Sequence, residues 1–404
     1  MRILVLLLSG TLPACIAPAG SGKPSDSGTS TQGGDTGDST ASDTGTVPDG
    51  CRSTPRDADA PRVALVSLPY TDDLDPSADW AVLDVGPDGL TDRGTRVPLG
   101  WDRGGGLAFT PDGSIGITAL DDGTLGVVAV EPDGTVSVVQ SGFDPGTYTT
   151  ALAVDPSGEV VWLVNPNWPE SGGGLYRAGI DCTTGAIGPA QRVVEAKNPA
   201  AIVLASPDRG LLVGREIPGA GSGADVALLD LDSGAVITGV DAFGDEDAIV
   251  SHAALSGSDW LLIADHAEFS GIPNRIASVR VERDGLGASG LVPNLLDPMT
   301  VVPNPVGPGA LVPSGYGDRY WLLDEDSTGW SLAGTVASND PAPVQLPEHA
   351  VAITRGALAG RVLAVEVGGI RSLDLDPAGT ARLGPVLGLG SGYAGIPGAL
   401  GVQP

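Results

Sequence analysis

From Pro61 onward, short apolar runs alternate with polar turns in a phrase that returns seven times. Each copy is an apolar strand, an Asp or Glu, a few turn residues, a glycine and a second strand, which is hairpin chemistry. The first four copies read Leu83-Asp84-Val85-Gly86-Pro87-Asp88-Gly89, Val130-Glu131-Pro132-Asp133-Gly134, Ile180-Asp181-Cys182-Thr183-Thr184-Gly185 and Leu229-Asp230-Leu231-Asp232-Ser233-Gly234. Val281-Glu282-Arg283-Asp284-Gly285, Leu323-Asp324-Glu325-Asp326-Ser327-Thr328-Gly329 and Leu373-Asp374-Leu375-Asp376-Pro377-Ala378-Gly379 complete the set. Successive closing glycines lie 45, 51, 49, 51, 44 and 50 residues apart, and each is expected to supply a positive φ. A second phrase runs in step, as in Leu107-Ala108-Phe109-Thr110-Pro111-Asp112-Gly113 and Leu152-Ala153-Val154-Asp155-Pro156-Ser157-Gly158. Looser copies start at Ile202 and Val351. One repeat is therefore four strands in two hairpins, the size of a propeller blade.

This periodicity resembles the YVTN and lactonase-type propellers of bacteria, and the resemblance covers residues 61–404. It implies an all-β fold, a seven-bladed β-propeller of four-stranded antiparallel blades. Blade 1 opens on Arg62-Val63-Ala64-Leu65-Val66 without the second phrase before it, and the C-terminus carries a spare one, Pro397-Gly398-Ala399-Leu400-Gly401-Val402. The spare strand is expected to complete blade 1 as its innermost strand, so that no sheet edge is left open.

The chain before the repeats has another character. Met1-Arg2 and the apolar run Ile3 to Leu8 follow the plan of a secretory signal and are too short to cross a bilayer. Leu12-Pro13-Ala14-Cys15 resembles the lipobox of bacterial lipoproteins, which implies cleavage before Cys15 and acylation of that cysteine. The expected organisation is a signal peptide over 1–14, a lipidated cysteine and polar tether over 15–50, and the propeller over 51–404. Ordinary secretion, with cleavage after Ala17-Pro18-Ala19, is the alternative. The tether is almost pure Gly, Ser, Thr and Asp, cannot offset its own ordering entropy, and is expected to be disordered. These features place the protein in the cell envelope, anchored to the outer membrane or cell surface through lipid alone.

Composition narrows the partners. A formal charge of −29, from 21 basic and 50 acidic residues, repels phosphate backbones and excludes nucleic acid. With Cys15 assigned to lipid, Cys51 and Cys182 remain, and in an exported chain they are a candidate disulfide.

In a propeller, the loops leading into the inner strands share one face with those joining second to third strands. Long loops of the second kind are expected at Pro69–Asp79, Asn165–Gly174, Glu216–Asp225 and Asp265–Arg275, and function is expected on that face. His252, His266 and His349 all fall there, with Glu216, Asp247, Asp265, Glu268 and Glu348 nearby. His252, His266, His349, Glu216 and Asp265 are the candidate ligand or metal residues. Imidazoles and carboxylates in that setting could hold a divalent cation for hydrolysis, although no close-spaced zinc motif occurs. Trp80, Trp101, Tyr148 and Trp168 are candidate stacking residues. No cofactor is expected. Two functions stand open: a monomeric, non-enzymatic module that engages a protein, glycan or cation, and a lactonase-like or metal-assisted hydrolase, the second implied by the resemblance.

Overall fold

The computed structural model describes residues 50–102, 104, 106–166, 172–215, 225–244, 249–266, 274–315, 319–326, 329–338 and 349–404. The expected signal peptide, Cys15 and nearly all of the tether lie outside them. The fold is all-β: seven four-stranded antiparallel sheets, each a simple meander, with helical structure among the described residues limited to 3-10 turns at Gly356–Leu358 and Gly392–Gly395. No helix among them is long and apolar enough to cross a membrane.

The inner strands of blades 2 to 7 are Leu107–Phe109, Ala151–Val154, Pro199–Ser206, Val250–Leu255, Val302–Pro303 and Ala350–Ala352. Blade 1 takes its inner strand, Leu400–Val402, from the C-terminus. Ala64, Leu65 and Val66 pair with Val402, Gly401 and Leu400. Gln403 extends this closure: it is fully buried, its Oε1 accepts from the Val63 N–H at 3.0 Å, and its Nε2 donates to the Gly113 carbonyl of blade 2 at 2.7 Å.

The ring is closed, as the apolar packing demonstrates. Seven hydrophobic clusters each join two neighbouring blades: 1 with 2, 2 with 3, and so on to 7 with 1. An open stack of seven sheets would have six such seams. The last seam packs Ala64, Val66, Leu400 and Val402 of blade 1 on Ile353, Leu363 and Ile370 of blade 7. Because both faces of each sheet are covered, second strands such as Ile115–Ala119 and Trp260–Asp265 are buried at every position. They read as continuous apolar runs rather than alternating ones. Outer strands such as Val136–Phe143 are half solvated and mixed.

Two sequence-based expectations need correction. Six hairpin glycines have left-handed φ, from 70° at Gly234 to 142° at Gly329, but Gly285 does not. It pairs with Glu282 across a two-residue turn of the same length as those closed by Gly89 and Gly329, and nothing in the pairing explains its different φ. The expected long loop Pro69–Asp79 is mostly strand, since Tyr70 pairs with Pro76 and Leu68 with Asp79. The ladder there extends past the apolar residues and continues through exposed ones.

Candidate functional site

Several candidates serve the scaffold. Cys51 and Cys182 form a disulfide, with Cα atoms 5.8 Å apart. Asp265 is fully buried; it accepts from Arg275 Nε at 2.8 Å and from the Ile249 N–H at 2.9 Å. Arg275 in turn stacks over Phe243. Such a buried ion pair fixes the second-to-third-strand corner of blade 5 and leaves that carboxylate committed. His266 Nδ1 is paired with the carboxylate of Asp297, a buried residue the sequence did not single out. Trp80, expected near a ligand, is wholly in the core and donates Nε1–H to the Gly100 carbonyl at 2.9 Å. Tyr148 donates its hydroxyl to the Asp121 carbonyl at 3.2 Å, and Trp101 is half-buried. Glu216, Asp247, Glu268, Glu348 and Trp168 lie outside the described residues.

The disulfide belongs to a strap, residues 50–61, across the face formed by the first-to-second and third-to-fourth strand turns. Cys51 N–H donates to Glu159 Oε1 of blade 3 at 2.9 Å. Arg56 N–H then donates to the Pro111 carbonyl of blade 2 at 2.9 Å. Asp59 accepts from the Ala357 N–H of blade 7 at 3.2 Å. Arg62 Nη2 bonds the Ala58 and Arg355 carbonyls at 2.8 and 3.0 Å, which ties the strap's end to blades 1 and 7.

The two remaining histidines meet at the centre. His252 carries the one ionisable side chain in the seven inner strands. Its ring centroid lies 6.5 Å from that of His349, edge to face. His349 precedes the inner strand of blade 7 and also approaches blade 2: a Cβ on Gly106 would sit 3.3 Å from its Cε1. A side chain touching the inner ends of blades 2, 5 and 7, no two of them adjacent, must lie across the bore at its loop-bearing end. The glycine at 106 makes room for it.

Both rings keep some solvent contact but are enclosed by protein, and desolvation disfavours their cations. Burial, helped by the charge of His349, lowers His252 from 6.5 to about 3. Burial lowers His349 to about 4, against an opposing hydrogen bond to the Gly104 backbone. The Val301 N–H donates to His252 Nδ1 at 3.3 Å. Nδ1 is thus an acceptor, and the ring proton resides on Nε2.

Below the histidines lies a cavity of about 990 Å³ between blades 5, 6 and 7, large enough for a drug-sized molecule. His252, Leu255, Val301, Val302 and Val351 line its inner part, and Ser258, Asn304, Glu325, Asp326 and Thr354 its turn-bearing end. Ser258 donates to Glu325 Oε2 at 2.5 Å. No Lys or Arg is among the described residues that line it. The space exists because the inner strand of blade 6 is two residues long, with Pro303 at its end and Pro305 in the following turn, so its ladder stops early. Nothing in the repeat pattern announced this. Another group that sequence reasoning missed is Asp225, a buried carboxyl beside Asp241, which burial pushes up to about 7.

No protein family matches the chain, and no curated protein is similar to it. Solved structures do share its architecture. A Bacteroides fragilis structure named for 6-phosphogluconolactonase superposes with a TM-score of 0.59 at 13% identity, covering 86% of this chain and 99% of that one. A protein from Lactobacillus plantarum gives 0.58 at 14% identity, covering 85% and 99%. A hypothetical selenium-binding protein from Sulfolobus tokodaii gives 0.59 at 11%, covering 85% and 92%. Identities this low establish the seven-bladed propeller fold and nothing about the reaction.

Proposed function

We propose that the protein is an envelope-anchored, non-enzymatic binding module whose propeller holds a small molecule in the cavity between blades 5 and 7. The observation that carries this reading is a roomy cavity with neutral imidazole at its inner end and no cationic side chain among the described residues that line it. A small molecule fits this site better than the protein or glycan surface that long loops suggested. Acylation of Cys15 supplies the anchor in this reading, and radiolabelled palmitate is expected to enter the native protein but not a Cys15→Ser variant.

The alternative, a lactonase-like or metal-assisted hydrolase, draws support from the fold shared with the Bacteroides structure. Two features weigh against it. A phosphorylated lactone calls for Arg or Lys to meet its phosphate, and the described lining of this cavity offers neither. A general base works best with a pKa near the working pH, whereas these imidazoles titrate at about 3 and about 4. Full-length protein purified from its native envelope and extracted with organic solvent is expected to yield a stoichiometric small molecule by mass spectrometry. Lactone or ester hydrolysis that disappears in His252→Ala and His349→Ala variants would overturn the reading in favour of the enzyme.

A further inference from the structure

We infer that the Nε2–H of His252 is the recognition donor for an oxygen atom of an uncharged, largely apolar ligand, and that this ligand enters from the turn-bearing face. The inference rests on the cavity reading above and specifies its ligand.

The tautomer comes first. With Nδ1 accepting from the Val301 N–H, Nε2 carries hydrogen and presents a donor, not a lone pair. A metal ion on Nε2 would force the ring proton onto Nδ1, against the Val301 N–H, so the same bond disfavours a cation at this atom. His252 lines the cavity among Leu255, Val301, Val302, Ala350 and Val351. An apolar body covers those side chains, and a carbonyl, ether or hydroxyl oxygen is what a lone donor among them selects. A carboxylate or phosphate would lose hydration without gaining a cation. The ring stays neutral through physiological pH and adds no charge attraction for anions.

Direction follows from His349. Its ring lies against His252 and against Gly104 and Gly106 before the inner strand of blade 2, at the loop-bearing end of the bore. The cavity extends the other way, to Ser256–Ser258, Asn304–Pro305 and Thr354 in the first-to-second-strand turns of blades 5, 6 and 7. The strap crosses blades 3, 2, 1 and 7 on this face, and Thr354 lies beside its last attachment at Arg355.

Camphor, isoborneol and 1,4-cineole are suitable uncharged oxygen probes, with bornane, camphorsulfonate and bornylamine as shape-matched controls, read by ligand-observed NMR on the full-length protein. The oxygen probes are expected to bind, the hydrocarbon at least tenfold more weakly, and the sulfonate not at all. Bornylamine, which Glu325 and Asp326 at the turn-bearing end could attract, is expected to bind no more tightly than the oxygen probes, and tighter binding would overturn the uncharged ligand. His252→Phe is expected to cost the oxygen probes tenfold or more in affinity, and His252→Gln, which keeps a donor, to recover most of it. Thr354→Trp at the turn-bearing mouth is expected to block binding, whereas Gly106→Ala at the far end leaves it within twofold. Oxygen probes that bind His252→Phe as well as wild type, or a sulfonate that outcompetes them, would overturn the recognition role and leave the cavity reading intact. Binding abolished by Gly106→Ala but not by Thr354→Trp would overturn the direction of approach. Failure of every probe to bind would overturn both this inference and the cavity reading.

Discussion

Blades 7, 1 and 2 and blades 5, 6 and 7 are built from the same repeat, yet one sector is bound shut and the other is left open. Around the closure several contacts tie blade to blade. The C-terminal strand completes blade 1, Gln403 bridges blades 1 and 2, and Arg361 of blade 7 donates to the Gly86 and Pro87 carbonyls of blade 1. The strap, anchored on blade 3 by its disulfide, then crosses the same sector from outside. Around the cavity the inner strand of blade 6 makes only two pairs, Val302 with Leu311 and Pro303 with Ala310, and space opens beneath His252. Packing between blades is equally apolar in both sectors. The contrast therefore lies in the inner strands and turns. A ring tightly closed at one place can tolerate a short strand and a void at another, because the neighbours of the short strand are held by the circle.

The contrast can be broken most forcefully at the closure. Removing residues 393–404 takes away the inner strand of blade 1 and Gln403, and is expected to cost more than about 5 kcal/mol, enough to abolish a cooperative thermal transition. A truncated protein that melts with the parent would refute the closure. Next in size is the strap. Cys51→Ser with Cys182→Ser opens a covalent loop of sequence separation 131 and is expected to cost about 2–5 kcal/mol in urea unfolding. Probe binding in the cavity is expected to be unchanged, since blades 5 and 6 do not touch the bridge; an unchanged urea midpoint would mean that hydrogen bonds alone hold the strap.

The smallest effect is a pH dependence on the cavity side. His252 has a folded pKa of about 3 against an ordinary 6.5. Between those values the unfolded chain binds the proton and the folded one does not, so stability falls as pH drops from 6.5 towards 3. Wild type is accordingly expected to lose about 1–2 kcal/mol more than His252→Phe on moving from pH 7 to pH 4.5, allowing for the ring's partial solvation. Parallel curves for the two proteins would show that the ring is solvated rather than enclosed. Asp225 contributes with the opposite sign, since its raised pKa of about 7 makes ionisation unfavourable as pH rises, which is why the comparison uses the pair of proteins rather than the raw curve.

Much of the fold was written locally. Strand content, blade count and the partner of the C-terminal strand followed from a recurring Asp-to-Gly hairpin and one missing opening phrase, because turn chemistry acts over a few residues and repeats add up in register. The site was less legible. His252 and His349 were recognisable as histidines leading into inner strands, but their meeting across the bore depends on which blades face one another after closure. Asp297 and Asp225 gave no signal, since an acid in a loop looks alike whether it is solvated or sealed under neighbours. Asp265 looked like a ligand and proved to be half of a buried pair, because its partner, Arg275, lies across a corner whose geometry the pattern does not specify.

By itself the sequence determined a circle of hairpin sheets, the strand that shuts it, and the cysteines available to bridge. Tertiary structure alone decided the tautomer of His252, its meeting with His349 across the bore and the cavity lined by blades 5, 6 and 7. The reason is physical: hairpins are specified by neighbours a few residues apart, whereas desolvation and enclosure are set by atoms that only closure of the ring brings together.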